Sequence, residues 1–457
     1  MRRNPSRILF PLLLSAAVGL PASLPAEGIP DTAFSGDGRT TVDWQQGQTM
    51  ARAAAVQPDG KVLLAGSIGT ATNLTDFGIA RLLPDGTLDT GFGNSGGLIV
   101  PIDALISGQD DVQALALDAS GRIHLLGTTA ASGGAMIPAM ARLTAAGDLD
   151  TTFGDQGVVR ITTWPWVGQC TTWVAIGHQG GFLFGGMASP SPTSARGPFL
   201  VRLDADGAVD TAFGDNGWRR VEVGSGHLVG ALAVDPAGRI LVASVNSTPT
   251  PDEIRIYRFT AGGDLDLTYG GGDGIASATP ADNFSPSSLA LDPVDGSLVV
   301  GLRNALEQST PATGAIARFD ATGVFDAAFG WVETTYDEGS TIEEVVVQGD
   351  RKIVGVGRIN GPGAQLGGLL FVRLLPDGSF DPTFDSNGRI RVEIDLVADE
   401  LDGGLGLALA GGRALGAGFA RDGDGNFRFA AVRLTTALIF SDGFESAGRS
   451  YWSAAVP

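Results

Sequence analysis

The residues best suited to chemistry are oxygen donors. In Asp422-Gly-Asp424-Gly-Asn426 two carboxylates and an amide alternate. That spacing offers hard ligands as in the first half of a calcium loop. The glutamate that such a loop carries further on is missing, because Phe427 to Leu434 reads as a strand. Calcium is therefore the candidate cation, and a plain polar hairpin turn is the alternative. More carboxylates stand in irregular segments: Asp337 and Glu338, then Asp395, Asp399, Glu400 and Asp402. Gathered on one surface they would form a strongly negative ligand face. Trp164 and Trp166, in Trp-Pro-Trp, offer rings that stack on a sugar or a peptide, or else pack against neighbouring loops.

Machinery for bond breaking is harder to find. His124, His178 and His227 fall in three different units with no ligand spacing between them, which argues against zinc. Ser225-Gly-His227 stands alone, and Cys170 reads as a small buried hydrophobe. No G-x-S-x-G, H-E-x-x-H or phosphate loop occurs. No catalytic residue is assigned, so binding is the expected role. The alternative is a metal-assisted hydrolase or lyase.

Charge also recurs at a fixed period. Arg81, Arg142, Arg202, Arg258, Arg318, Arg373 and Arg433 follow one another at intervals of 55 to 61 residues. In six units an Asp stands eight residues later, as Asp89 does after Arg81, and three residues beyond it an aromatic, as Phe92 does. An active site does not repeat sevenfold, so these pairs read as structural bridges and the aromatics as core between units. A hairpin string completes the unit, seen in AVQPDGKVLLAG (55–66) and AVDPAGRILVAS (233–244).

Each unit thus reads as four short strands, in the first at about 50–57, 61–67, 77–83 and 97–102. Four antiparallel strands per unit is the β-propeller blade pattern. The ends decide the count. The chain opens with an Asp-x-x-Phe turn at Asp31 and a lone fourth strand at 39–44, and closes with three strands near 404–410, 413–419 and 427–434. Joined, they make one composite blade, and the prediction is an all-β, seven-bladed propeller with no exposed sheet edge at the seam. Arg433 has Ser441 where the other copies have Asp, so Asp31 is its expected partner across the ring. Phe444 is the competitor for the slot of Phe34. In a propeller the second-to-third and fourth-to-first connections share one face, and here they are the long, divergent ones.

The string AVQPDGKVLLAG followed by DFGIARLLPDGTLDTGFGNSGG (76–97) resembles the delta-60 repeat family of bacterial exported proteins, over residues 30 to about 434. The resemblance implies a propeller-like repeat array and carries no defined activity. More loosely the unit is similar to NHL and SMP-30-like propellers.

Composition sets the remaining bounds. The 457 residues would suit about three domains by length alone. There are 68 Gly and only 18% charged residues, which fits short strands and tight turns rather than helices. A formal net charge of -20 argues against nucleic acid or an anionic membrane as partner. Arg2, Arg3 and Arg7 precede an apolar run from Ile8 to Leu20, too short to span a bilayer. This reads as a signal peptide cleaved after Ala26 or Ala22. The expected organisation is a signal peptide at 1–26, a propeller at 27–436 and a distinct tail at 437–457. The expected product is an exported, secreted, periplasmic or cell-surface monomer with an unknown extracellular ligand (glycan, peptide or protein), without disulfide or transmembrane span.

Overall fold

The computed structural model describes residues 27–42, 48–69, 74–102, 109–131, 136–162, 173–178, 181–188, 197–222, 227–247, 252–304, 313–335, 339–359, 367–394 and 402–436. Within them lie seven four-stranded antiparallel sheets. Blade 1 runs from Thr49 to Val100, blade 2 from Asp111 to Arg160, and blade 3 from Trp173 to Arg220. Blade 4 covers His227 to Ala278, blade 5 Phe284 to Glu333, and blade 6 Glu344 to Val392. Blade 7 is composite: Asp402–Ala410, Arg413–Arg421 and Phe427–Thr435, then Arg39–Val42 as its outer strand. No helix long and apolar enough to cross a membrane occurs among the described residues.

The strand types follow from the residues. Val62–Gly69 is buried along its whole length, as a strand covered on both faces must be. The turn before it closes through Gly60, whose N–H bonds the Gln57 carbonyl. The core is divided among the blade interfaces. Seven apolar clusters fill the seven gaps, each drawing on two adjacent blades. The cluster between blades 7 and 1 includes Phe34 and Val42 from the N-terminal segment.

The recurring charges form one brace per blade. Each Arg donates through Nε to its Asp at 2.7 to 2.9 Å. Each guanidinium also lies 4.3 to 4.8 Å over the repeat aromatic. Arg81 reaches on to the Ala145 carbonyl of the next blade at 2.7 Å, and Arg258 to that of Ala321 at 2.8 Å. The brace therefore fixes both a turn and the neighbouring blade.

Closure uses the same parts. Arg39–Val42 pairs with Phe427–Thr435 in the register Arg39 with Val432 and Val42 with Phe429. Arg433 donates to Asp31 at 2.9 Å, lies over Phe34, and reaches the Pro84 carbonyl of blade 1. Arg413 adds a second bond to Asp31 at 2.5 Å. Phe34 is fully buried, so it holds the slot for which Phe444 was the competitor; Phe444 lies outside the described residues.

The seam starts earlier than Asp31. In blade 1, Gly86 has φ +87° and sits so close to Phe34 that a Cβ would meet its ring at 3.0 Å. Gly28, with φ +73°, sits on Phe384 in the same way, and Glu27 pairs with the fully buried Arg373. Glu27-Gly28-Ile29-Pro30-Asp31 thus supplies blade 7 with the turn that Asp85-Gly86-Thr87-Leu88-Asp89 gives blade 1.

Two outcomes follow. Asp31→Ala leaves two guanidinia without their buried partner and should lower unfolding free energy by about 3–5 kcal/mol in urea titration. A loss of about 0.5 kcal/mol or less would show that the seam does not depend on it. The second outcome concerns acid. Burial raises the Asp381 carboxyl, but bonds from Thr383, Lys352 and Arg373 more than offset this and hold it at about 2. The folded state then binds fewer protons than an unfolded carboxylate titrating at about 3.9. Its stabilisation is complete above about pH 4 and is lost as pH falls toward 2, and Asp381→Asn should flatten that part of the stability profile.

Candidate functional site

The two faces of the ring differ in kind. The turns joining first to second and third to fourth strands carry the sevenfold brace and are nearly alike. On the opposite face, contacts link the ends of the divergent loops into a rim. Ser340 bridges to Ile359, Ile359 bonds Gly368, and Gly368 donates to the Asp402 carbonyl at 3.1 Å. Asp402 pairs with Ala420, and across the seam Gln48 bonds the Gly425 carbonyl and the Phe427 N–H. The described ends of the loops singled out in the sequence therefore share one face, along blades 6, 7 and 1. Asp337, Glu338, Asp395, Asp399, Glu400, Trp164, Trp166 and Cys170 lie outside the described residues.

Asp402 turns inward. It is buried, and its Oδ2 accepts from the Ile394 N–H at 2.6 Å. Asp110 does the same to the Ile102 N–H at 2.9 Å in blade 2, with the same eight-residue spacing. Both carboxylates close a loop base, and Asp402 in this way braces the rim.

The 422–426 turn is likewise closed by its own groups. Asp422 Oδ1 accepts from Asp424 N–H at 3.0 Å and Asn426 N–H at 2.8 Å, and Oδ2 pairs with Arg428 at 2.6 Å. These bonds, the Asn426 N–H first, hold its carboxyl below the usual range. The same pattern, an Asp accepting from residues two and four further on, closes turns at Asp118, Asp204, Asp235 and Asp320. No group of three or more His, Cys, Asp or Glu able to hold a metal occurs among the described residues. His124 is buried between blades 2 and 3, 3.4 Å from Asp118 and 4.9 Å from the Phe182 ring, and burial lowers its pKa. Of His178 and His227 only the backbone is described, each at a strand end.

What sequence reasoning missed lies on the axis. The innermost strands carry a β-bulge near their loop-face ends, at Arg52, Gln113, Gly230, Ser287 and Leu405. Glu343 holds the equivalent place in blade 6, its N–H bonded to the Val356 carbonyl. A bulge leaves one residue out of the ladder and re-aims its side chain. Opposite it in blade 1 stands Gly66, where a Cβ would lie 1.8 Å from the Met50 carbonyl oxygen. Small apolar residues surround these positions, so their identities are free to differ from blade to blade. The signal was visible in the strings TMARAAAV, DVQALAL and TIEEVVV, where a polar residue interrupts an apolar strand.

Arg52, Gln113, Glu343, Glu344 and Leu405 line an open pocket there, between blades 6, 7, 1 and 2, with a cavity volume of about 20 Å³. The two carboxylates are already compensated. Glu343 accepts from Arg358 at 2.9 Å and Thr341 at 3.0 Å, with Arg303 at 3.6 Å. Burial pushes its carboxyl up, but Arg358 and Arg303 outweigh burial and keep it charged. Glu344 accepts from the Leu407 N–H at 2.5 Å.

Residues 57–92 and 348–384 match a family described as a domain of unknown function (DUF5122) beta-propeller. No curated protein matches the chain. Among solved structures, a protein of unknown function from Dyadobacter fermentans is similar at 13% identity, over 88% of this chain and 98% of that one, with TM-score 0.44. The β-propeller domain of the trilobed protease from Pyrococcus furiosus is similar at 9% identity, over 87% and 99%, with TM-score 0.41. The α-L-arabinanase of Penicillium chrysogenum is similar at 9% identity, over 87% and 98%, with TM-score 0.40.

Because Asp422 is satisfied by backbone donors and Arg428, a cation would have to displace that guanidinium. Thermal unfolding should give the same midpoint in calcium and in chelator. A ligand held at 100 times its dissociation constant would add about 2.7 kcal/mol, so a clear upward shift in calcium would overturn the reading of an ordinary turn.

Proposed function

We propose that the chain is an exported β-propeller that serves as a binding or surface-interaction module, taking a glycan, peptide or protein at its loop face. One observation carries this reading. Chemistry is uniform on the braced face, where the repeated charges bond one another, and it varies from blade to blade on the other. Divergent loops on a rigid scaffold are where binding residues concentrate. The basic, apolar and small residues before Glu27 support export.

The alternative is a metal-assisted hydrolase or lyase at the channel mouth. It calls for carboxylates and a histidine converging on the axis, with a group titrating near neutrality. Glu343 is instead held low, and His124 sits away from the axis, between blades.

A face-blocking experiment separates the readings. Cysteine is placed at Asp424 on the loop face, or at Asp59 on the braced face, in a Cys170→Ser background, and a polyethylene glycol chain is attached. Labelled protein is then applied to envelope-glycan and peptide arrays and assayed with chromogenic ester, lactone and glycoside substrates. Saturable binding lost on blocking position 424 and kept on blocking position 59 is the expected result. The converse pattern, or substrate turnover abolished by Glu343→Gln, would overturn it.

A further inference from the structure

The axial pocket holds one guanidinium, that of Arg52. Arg52 stands exposed as the one charged residue of its inner strand, Thr49–Val56, and lines the pocket. Among the described residues it has no hydrogen-bond or ion-pair partner, although two carboxylates line the same pocket. Glu343 is committed to Arg358 and Arg303, and Glu344 to the backbone of blade 7. Gln113, at the equivalent bulge of the adjacent blade, is also without a partner among the described residues and adds amide donors.

From this juxtaposition we infer that Arg52 and Gln113 bind the carboxylate of a small ligand at the channel mouth. A guanidinium presents paired N–H donors in a plane that matches a carboxylate fork. Glu343 and Glu344 line the same pocket, so a dianion such as phosphate is repelled more than a monoanion, and a hydroxyl or ammonium beside the ligand carboxylate offsets the repulsion. The cavity itself, at about 20 Å³, has room for a carboxylate-sized group, so the rest of the ligand lies in the open channel mouth. The inference rests on the reading that this face takes the ligand, and it names the chemical class.

Titration calorimetry of the full chain tests it with glucuronate, glycine, inorganic phosphate and glucose as probes. Saturable binding of glucuronate or glycine is expected, with glucose silent. Arg52→Gln should weaken it about 10- to 100-fold, and Arg52→Lys should restore part of the loss. Arg52 is exposed, so both variants should keep the parent melting midpoint. Absence of binding to both carboxylates, equal affinity in Arg52→Gln, or tighter binding of phosphate would each overturn the assignment. If carboxylates fail while array binding remains sensitive to blocking at position 424, the axial inference falls and the loop-face function stands. If Arg52-dependent binding persists with position 424 blocked and the arrays silent, the axial site stands and the wider surface reading falls.

Discussion

One arrangement holds the ring: a guanidinium bound to the Asp eight residues on, laid over an aromatic ring and reaching for the next blade. A single sheet cannot cover its own two faces, so a blade is stable only between neighbours. The aromatic fills the gap, the turn glycine of the next blade packs on its ring, and the guanidinium joins both. Each contact is modest. A partly desolvated cation over a ring is worth about 1–2 kcal/mol, and burying a phenylalanine about 1.5–3 kcal/mol. Repeated around a closed ring, they reinforce one another, since no blade can leave without opening two interfaces.

This division of labour frees the other face. With braces confined to the short turns, the loops between blades are free to differ, and so are the bulge positions on the axis. A bulge is tolerated because the strand opposite supplies a small residue such as Gly66. The pocket among Arg52, Gln113, Glu343 and Glu344 is thus a product of backbone irregularity that recurs, carrying side chains that do not.

Much of this could be read in the residues. Closure was legible because Asp31 has no arginine eight residues before it and Arg433 has Ser441 where an Asp is expected. The start of the seam was missed by four residues. Glu27 for Asp and Pro30 for Leu disguise EGIPDTAF as something other than DGTLDTGF, although Gly28 and Phe34 align with Gly86 and Phe92. The sequence places Asp402 among the carboxylates of the loop face but does not give the direction of its side chain. Only the parallel with Ile102 and Asp110 reveals a carboxylate turned onto a backbone N–H. The axial residues escaped because a search for repeats averages away positions whose chemistry changes, and those are where a repeat protein keeps its specificity.

The account depends on the N-terminal segment being an integral part of the last blade. Native-state hydrogen exchange of the amides in Arg39–Val42 tests this most directly. If the ring is closed as described, these amides open only with the inner strands of blade 7, at the free energy of global unfolding. Exchange of Arg39–Val42 at the rate of a frayed terminus, while Phe427–Thr435 stays protected, would contradict it.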